Sequence, residues 1–324
     1  HSSPFGLVSR KNLLLMERKQ KKVVIAGATG LIGSRLSMQL AKSDYKVSAL
    51  VRNPEKAFES LQHYNIELIE WSIETSVNVT AEFIDGADGV INLAGASVAG
   101  KRWNDSVKQE LYDSRILSTR QLANAIRMCQ NIPAVFIVSN GTGFYGDRKN
   151  EKLTEESSAG GDFLAKLCAD WEKEALAVSN LCRVVSVRTG VVLAKDDGAL
   201  KELSKPFKYF LGGWLGSGKQ WFPWVHIEDV ISIFKFALEN DSIKGAINAV
   251  SPETVTNKEF CKDLGKEMNK PCLFPVPGFV LKLAAGEFAF SLLTGQKVIP
   301  EKLKKNNFEF RFNKLKPALE NLLQ

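Results

Sequence analysis

Three glycines spaced as Gly27-x-x-Gly30-x-x-Gly33 form the pattern that most clearly indicates chemistry. They follow an apolar run at residues 23–26, typical of a buried strand, and precede an apolar pattern of helical period that begins at Leu31. A strand, a tight turn and a helix in this order present backbone N–H groups and the positive end of the helix dipole to a diphosphate. Glycine suits the turn because it adopts backbone angles barred to other residues and lets the chain approach the ligand closely.

We therefore predict a dinucleotide site at this turn. The predicted diphosphate-binding residues are Gly27, Thr29, Gly30, Leu31, Ile32 and Gly33. The alternative, a strand-to-helix turn without a ligand, is less favoured because the strand and the helix both stand where the binding motif requires them.

The end of the second predicted strand, residues 45–51, bears on which dinucleotide binds. Val51 and Arg52 stand where a dinucleotide fold meets the adenosine ribose. An acidic residue at this place would bind the ribose 2′-hydroxyl, whereas an arginine suits a 2′-phosphate. Arg52 therefore favours NADP over NAD, with an exposed loop arginine as the alternative.

Side chains that could act on a substrate are few. The predicted strand 134–139 carries Ser139 to the carboxyl edge of the sheet, and Tyr145 follows in a glycine-broken loop. Cys168 lies on a predicted helix, residues 163–178, and its thiol would need an electropositive setting to act as a nucleophile. His226 could transfer protons near neutral pH, but a structural hydrogen bond at a helix entry is the favoured interpretation. Asp229 is interpreted as a residue of that helix start.

The elements that would position these residues alternate between strand and helix. Further predicted strands are residues 66–69, 87–94, 183–193 and 247–250, and the longest predicted helix is 105–128. Strands alternating with helices in this way predict right-handed βαβ units and a doubly wound parallel sheet, so the fold class is α/β.

The predicted organisation has three parts. Residues 1–21 form a basic tail, expected either to be disordered or to be the remnant of an organelle transit sequence. Residues 22–200 form a Rossmann-type nucleotide-binding domain, and residues 201–324 form a smaller substrate-side lobe. The boundary is soft, because a late strand near residues 245–250 could return to the main sheet.

Four aromatic residues surround a Gly-Ser-Gly sequence in the second part. They are Trp214, Trp221, Phe222 and Trp224. Such residues can form an apolar wall over a ligand or pack between two lobes, and the sequence favours neither.

Composition excludes several classes of function. Of the net charge of +7, residues 1–22 contribute +5, so the remaining chain carries only +2 and no nucleic-acid partner is inferred. No apolar run reaches the roughly 18 residues needed to span a bilayer. The five cysteines show no paired spacing, which argues against a zinc site or disulfide framework and indicates a reducing compartment, either the cytoplasm or an organelle matrix or stroma. No metal site is predicted, and the oligomeric state stays open.

At this point the chain resembles the extended short-chain dehydrogenase/reductase superfamily. The motifs that carry the resemblance are GATGLIG (27–33), NLAG (92–95), the strand-end Ser139 with GFYG (143–146), VRTGVVL (187–193) and FPWVHIEDV (222–230). More closely it resembles the atypical "epimerase family protein" branch. That likeness rests on KRWN (101–104), SRILST (114–119), GGDF (160–163), GSGKQWFPWVHI (216–227) and GQKVIP (295–300), and it covers residues 22–323.

The resemblance implies NADP binding, a small C-terminal domain and further residues of the cofactor pocket. Those residues are Leu93, Ala94, Gly95, Glu110, Arg115 and Val192. The superfamily's usual chemistry uses a Tyr-x-x-x-Lys pair, but here those positions fall on Leu164 and Cys168, neither of which can replace its counterpart. Ser139 fills the superfamily's serine position, and Lys166 is expected to face away from Cys168 on the helix.

Two functions follow from the resemblance. The first is an NADP-dependent oxidoreductase or epimerase acting on an unknown small molecule, with Ser139 polarising a carbonyl. The second is a catalytically inactive, regulatory NADPH-binding module, which the missing tyrosine and lysine favour. A role in organelle division or as a scaffold rests only on labels that this branch carries.

Overall fold

A seven-stranded parallel sheet forms the centre of the structure, a computed structural model that describes residues 20–43, 45–62 and 64–324. Its strands are β1 (Lys22–Ala26), β2 (Lys46–Val51), β3 (Ile66–Glu70), β4 (Gly89–Asn92), β5 (Val135–Gly141), β6 (Arg183–Thr189) and β7 (Gly245–Ala249). They lie in the order β7-β6-β5-β4-β1-β2-β3, and every neighbouring pair is parallel. The predicted α/β class with a doubly wound parallel sheet is confirmed.

Helices cover both faces of this sheet, and further helices lie away from it in the second part of the chain. They are α1 (Leu31–Lys42), α2 (Pro54–Leu61), α3 (Val77–Ile84), α4 (Asp105–Met128), α5 (Phe163–Leu176), α6 (Gly198–Lys208), α7 (Ile227–Glu239), α8 (Asn257–Glu267), α9 (Gly278–Ala285), α10 (Phe288–Leu293), α11 (Glu301–Lys305) and α12 (Leu315–Leu323). A single 3₁₀ turn, Thr142–Tyr145, follows β5 directly.

Alternation of side chains along the strands divides the core into two layers. Val23 and Ile25 of β1 point into the layer that contains α1 and α7, whereas Val24 and Ala26 point into the layer that contains α3 and α4. All four side chains are fully buried, as expected for a parallel strand covered on both faces. Helix crossovers place every strand's carboxyl end on the same edge, where the predicted functional residues lie.

The predicted strand 183–193 is interrupted at Gly190. A Cβ atom on this glycine would lie 2.4 Å from the carbonyl oxygen of Pro223. The chain therefore leaves the main sheet after β6 and continues as a short strand, Val191–Ala194, paired in parallel with Trp224–His226. Glycine is required here because the two backbones approach too closely for any side chain.

The second part of the chain returns to the main sheet. Strand β7 pairs with β6 along its whole length and so forms the edge opposite β3. Two further short ladders join Trp221–Phe222 to Val255–Thr256 and Lys152–Leu153 to Lys297–Val298. Residues 1–19 of the predicted basic tail lie outside the part of the chain that the structure describes. Among the residues that the structure does describe, no helix combines the length and apolar character that crossing a membrane requires.

Candidate functional site

The glycine turn has the geometry that its sequence predicts. Gly27 has φ +79°, and a Cβ atom there would lie 2.6 Å from the carbonyl carbon of Leu93 and 2.7 Å from the nitrogen of Ala94. Only glycine both adopts this conformation at little cost and lets the ends of β1 and β4 approach so closely. The turn and the end of β4 therefore form one surface.

Gly30 and Gly33 shape the beginning of α1. A Cβ atom on Gly33 would lie 2.2 Å from the carbonyl oxygen of Gly27, so the helix can only sit here without a side chain. Gly30 is the N-cap of α1, is exposed together with Thr29, and no side chain of the described residues caps the helix. Because the first-turn N–H groups of a helix have no intrahelical acceptor, this end suits an anion.

Arg52 follows β2 directly on the same edge of the sheet. It is exposed and makes no ion pair with any residue that the structure describes. Val51 before it is buried, and Asn53 after it caps α2 by accepting a hydrogen bond from the Lys56 amide at 2.9 Å. Since β2 lies beside β1, Arg52 follows the strand next to the one that ends in the glycine turn.

The end of β4 is held by a buried asparagine. Asn92 donates from Nδ2 to the Thr119 hydroxyl of α4 at 2.9 Å and accepts from the Ala94 amide at 3.0 Å. These bonds fix the path of the segment Leu93, Ala94 and Gly95, of which the last two carry little or no side chain. The Asn92 amide thereby orients the segment that the sequence predicts to line the cofactor.

Arg115 reaches from α4 to this strand end. Its Nη2 donates to the Ala96 carbonyl at 2.9 Å, and a Cβ atom on Gly95 would lie 3.1 Å from its Cζ. The guanidinium also lies over the Trp171 ring, with Cζ 5.3 Å from the ring centre. Burial lowers the pKa of Arg115, and no carboxylate among the described residues pairs with it. A half-buried cation that is bonded only to backbone carbonyls has charge left for an anionic ligand.

Two other predicted pocket residues differ in setting. Glu110 is exposed on α4 and pairs with Lys101, whose Nζ lies 2.7 Å from its Oε2. Val192 is half-buried in the short strand after Gly190, and the segment that follows crosses the beginning of α1, where a Cβ atom on Gly198 would lie 2.8 Å from Leu31 Cδ2. The contact between Gly198 and Leu31 brings the segment that carries Val192 to the glycine turn.

Ser139 lies within β5 rather than at its end. The strand continues to Gly141, whose register partner is Thr189, so the predicted loop begins two residues later than expected. The glycines that signalled a loop instead allow β5 to pair with β6 and then turn sharply. Ser139 itself is half-buried.

Tyr145 is fully buried at the end of the 3₁₀ turn. Its hydroxyl donates to Asn248 Oδ1 at 2.6 Å and accepts from Arg188 Nη1 at 2.9 Å. Burial raises the pKa of Tyr145 to about 12, although Arg188 acts in the opposite direction. A hydroxyl held in this way favours a packing role over proton transfer.

Leu164 and Cys168 present one face of α5 to the turn after β5. A Cβ atom on Gly143 would lie 3.2 Å from Leu164 Cβ and 3.9 Å from Cys168 Sγ. Burial raises the pKa of Cys168 to about 12, because the nearby Arg115 and Arg188 only partly offset the loss of solvent. The thiol is therefore protonated at neutral pH and a poor nucleophile. Lys166 is exposed on the other side of this helix.

A buried ion pair that the sequence analysis missed lies directly behind this turn. Arg188 of β6 donates to both carboxylate oxygens of Glu172 of α5, from Nε at 2.7 Å and from Nη2 at 2.8 Å. Asn140 and Ser186 donate to the same Glu172 carboxylate at 3.0 and 2.8 Å. A charged pair between an apolar strand and a helix gives no local sequence signal beyond the presence of Arg in VRTG.

His226 and Asp229 have structural roles. His226 Nδ1 accepts from the Glu228 amide at 3.1 Å, and its ring stacks on Phe312 with centroids 3.8 Å apart. Burial lowers the pKa of His226 to about 4, so it is neutral at pH 7. Asp229 accepts from the backbone amides of Arg311 and Phe312 at 2.7 and 3.0 Å and so attaches the C-terminal segment to α7.

The four aromatic residues around the Gly-Ser-Gly sequence differ in burial. Trp224 is fully buried in the core, and Phe222 packs on Phe260 with ring centroids 4.3 Å apart. Trp214 and Trp221 are half-buried, and each lies under a lysine ammonium, Lys258 and Lys297 respectively, at 4.2 Å. These contacts favour packing between segments over a wall above a ligand.

Two regions of this chain are similar to known protein families or domains. Residues 23–249 match the NAD dependent epimerase/dehydratase family, and residues 276–322 match a domain of unknown function, DUF1731. A chloroplastic epimerase family protein SDR39U1 homolog from Arabidopsis thaliana is 36% identical over 326 residues, covering 99% of this chain and 93% of that protein.

Solved structures agree with this. A crystal structure of human epimerase family protein SDR39U1 (isoform 2) with NADPH has a TM-score of 0.84 and 31% identity, covering 93% of this chain and 98% of that one. UDP-glucuronic acid 4-epimerase from Bacillus cereus, solved with UDP-glucuronic acid and NAD, has a TM-score of 0.74 at 20% identity over 93% of this chain and 97% of that one. The second likeness concerns the fold alone.

Proposed function

The chain belongs to the NAD dependent epimerase/dehydratase family, and from that premise we propose that it binds NADPH and acts as an oxidoreductase or epimerase on a small molecule. The observation that carries the proposal is the glycine turn, where Gly27 and Gly33 have no room for a Cβ atom and the helix end lacks a side-chain cap. NADPH in the human relative supports the choice of cofactor.

We assign the parts of the cofactor to the carboxyl edge of the sheet. The diphosphate would bind the residues of the glycine turn, and the 2′-phosphate would pair with Arg52. The segment Leu93, Ala94 and Gly95 would pass beneath the nicotinamide half, with Arg115 supplying a positive charge there. When bound, NADPH supplies the hydride.

Ser139 is the group that we assign to the substrate oxygen. A half-buried hydroxyl two residues before the carboxyl end of β5 can donate a hydrogen bond to a carbonyl and so favour negative charge on its oxygen. Tyr145 and Cys168 are poor proton donors here, since burial raises the pKa of each to about 12. The proton for the substrate oxygen would therefore come from water or from a group not yet identified.

The lack of a suitable proton donor favours a second candidate, a catalytically inactive module whose conformation depends on bound NADPH. Leu164 and Cys168 supply neither an acid/base group nor a standing positive charge. Arg115 lies near Cys168 and supplies a positive charge there, but Leu164 leaves no tyrosine for that charge to activate.

Turnover separates the two candidates. Purified protein would be mixed with NADPH and a broad panel of ketones, aldehydes and nucleotide sugars, and oxidation would be followed at the nicotinamide absorbance. We expect at least one carbonyl compound to be reduced with oxidation of NADPH, or at least one nucleotide sugar to be epimerised in a parallel assay with NADP+ in which the product is identified by chromatography. We expect Ser139→Ala to lower the rate at least about tenfold while NADPH binding is unchanged. Tight NADPH binding without turnover across the panel would favour the inactive module.

A further inference from the structure

Two segments far along the chain from the glycine turn expose large apolar side chains. Tyr209, Phe210 and Leu211 follow α6, and Leu273 and Phe274 follow α8; all five side chains are more than half exposed, and Leu211 and Phe274 reach 74%. We call these five residues the apolar tip. Large apolar side chains that are exposed together usually mark an interaction site.

The two segments of the apolar tip adjoin in space. The Leu273 amide donates to the Gly212 carbonyl at 3.3 Å, and a Cβ atom on Gly213 would lie 1.9 Å from the Phe274 carbonyl oxygen. Lys270 Nζ lies 3.8 Å from the centre of the Phe210 ring. The five side chains therefore belong to one surface.

Helix α9 continues this surface. The Val276 amide donates to the Trp214 carbonyl at 2.7 Å, which fixes the helix beside the apolar tip. None of the eight residues of α9 is buried, and Phe279 and Leu283 are 73% and 77% exposed. An apolar helix with no buried side chain gains little from packing on its own protein.

Positive charge surrounds the apolar tip and α9. Residues 201–219 and 258–283 carry nine lysines against four acidic residues, a net +5, although residues 23–324 together carry only +2. Lys262, Lys266 and Lys270 line an open groove beside the apolar tip. Among the described residues, neither Lys262, Lys270 nor Lys208 has an ion-pair partner.

We propose that the apolar tip and α9 dock on a membrane surface rich in anionic phospholipid. Apolar and aromatic side chains that protrude together from loops and a short helix can enter the interface of a bilayer without a shaped pocket. Lysines around them are attracted to anionic headgroups while their alkyl stems cover apolar surface. Helix α9, with eight residues, would lie in the interface rather than cross it.

The test uses the full chain and vesicles of phosphatidylcholine with or without phosphatidylglycerol, with bound protein measured by co-sedimentation. We expect binding to the anionic vesicles to be at least about tenfold tighter than to phosphatidylcholine alone and to weaken as salt is raised. Phe210→Ser with Phe274→Ser should weaken binding at least about tenfold. The matched control, Phe58→Ser, removes a 55% exposed ring from α2 and should bind as wild type.

Charge reversal gives a second, independent arm. Lys262→Glu with Lys270→Glu should abolish the preference for anionic vesicles, whereas Lys173→Glu on the exposed side of α5 should leave it unchanged. Equal binding by the variants and their controls, or no binding to anionic vesicles at low salt, would overturn the proposal. Light scattering that shows a dimer broken by Phe210→Ser with Phe274→Ser would assign the surface to a second copy instead.

Discussion

The Arg188 guanidinium and the Glu172 carboxylate form a two-bond ion pair at 2.7 and 2.8 Å, buried between β6 and α5. Arg188 Cζ also lies 3.4 Å from the centre of the Phe144 ring, and its Nη1 reaches the Tyr145 hydroxyl. The pair therefore supports the turn after β5 through the Phe144 ring and the Tyr145 hydroxyl.

We expect Arg188→Met to lower the free energy of unfolding by about 3–5 kcal/mol, because it leaves the Glu172 carboxylate buried without a cation. The double variant with Glu172→Gln should lose less than the sum of the single variants by at least about 1 kcal/mol. Urea unfolding measures both. Arg120→Met, which breaks the partly exposed pair with Glu174, should cost less than about 1 kcal/mol; an equal cost at both sites would contradict the buried pair's role.

Gly33→Ala should weaken NADPH binding more than about tenfold and cost about 1–3 kcal/mol of stability, because the new Cβ atom would lie 2.2 Å from the Gly27 carbonyl oxygen and distort the turn. Calorimetric titration and urea unfolding measure the two effects. At Gly161 an added Cβ atom meets nothing within 4 Å, so Gly161→Ala should leave both within error. Wild-type affinity in Gly33→Ala would refute the assigned diphosphate position.

The proposed partner of the 2′-phosphate gives a test of cofactor preference. Arg52→Ala should lower the affinity for NADPH about 10- to 100-fold and leave the affinity for NADH unchanged, since a charge-assisted hydrogen bond to phosphate is lost. Lys46→Ala removes an exposed cation at the opposite end of β2 and serves as the control. If the ratio of the two affinities is the same in Arg52→Ala as in wild type, Arg52 does not select NADPH.

Arg115 predicts opposite effects on stability and binding. Because burial lowers its pKa and no described carboxylate pairs with it, Arg115→Met should leave the Tm of the free protein unchanged or raise it. The rise in Tm on adding a fixed concentration of NADPH should be smaller than in wild type, since the cofactor would lose one of the cations near it. Arg120→Met on the same helix should keep the full ligand-induced rise. A ligand-induced rise retained in full in Arg115→Met would place Arg115 outside the cofactor site.

His226 predicts a loss of stability in mild acid. Its pKa is about 4 in the folded chain and near 6.5 in an unfolded one, so the unfolded state binds a proton first as pH falls. The contribution is complete above about pH 6.5 and is lost between there and pH 4, at most about 3 kcal/mol. His226→Asn keeps a capping side chain, so its unfolding free energy should fall less than that of wild type over this range. Parallel pH profiles would show that His226 titrates normally.

The sequence predicted the sheet and its first turn because both depend on local requirements. A Cβ atom on Gly33 would clash with the nearby Gly27 carbonyl oxygen, and a Cβ atom on Gly27 would clash with the end of β4. The spacing of the glycines therefore predicts the geometry of the turn directly. The long helix 105–128 was predicted at its observed bounds.

What the sequence did not predict depends on contacts between distant segments. The partners of Arg188, namely Glu172 and Tyr145, lie on separate elements, and no spacing rule joins them. The exposure of α9 was also unpredictable, since an apolar run of eight residues usually indicates burial. Cys168 shows the limit clearly: its position came from a resemblance, but the high pKa of its thiol follows only from what surrounds it.

The late arrival of β7 has a consequence during synthesis. When β6 has left the ribosome, its outer edge has no neighbour until Gly245–Ala249 appears more than fifty residues later. At typical rates of translation this delay lasts roughly 3–11 s, during which an open strand edge is exposed to other nascent chains. A premature stop between β6 and β7 would thus release a chain whose incomplete sheet has an unpaired, aggregation-prone edge, rather than a stable nucleotide-binding fragment.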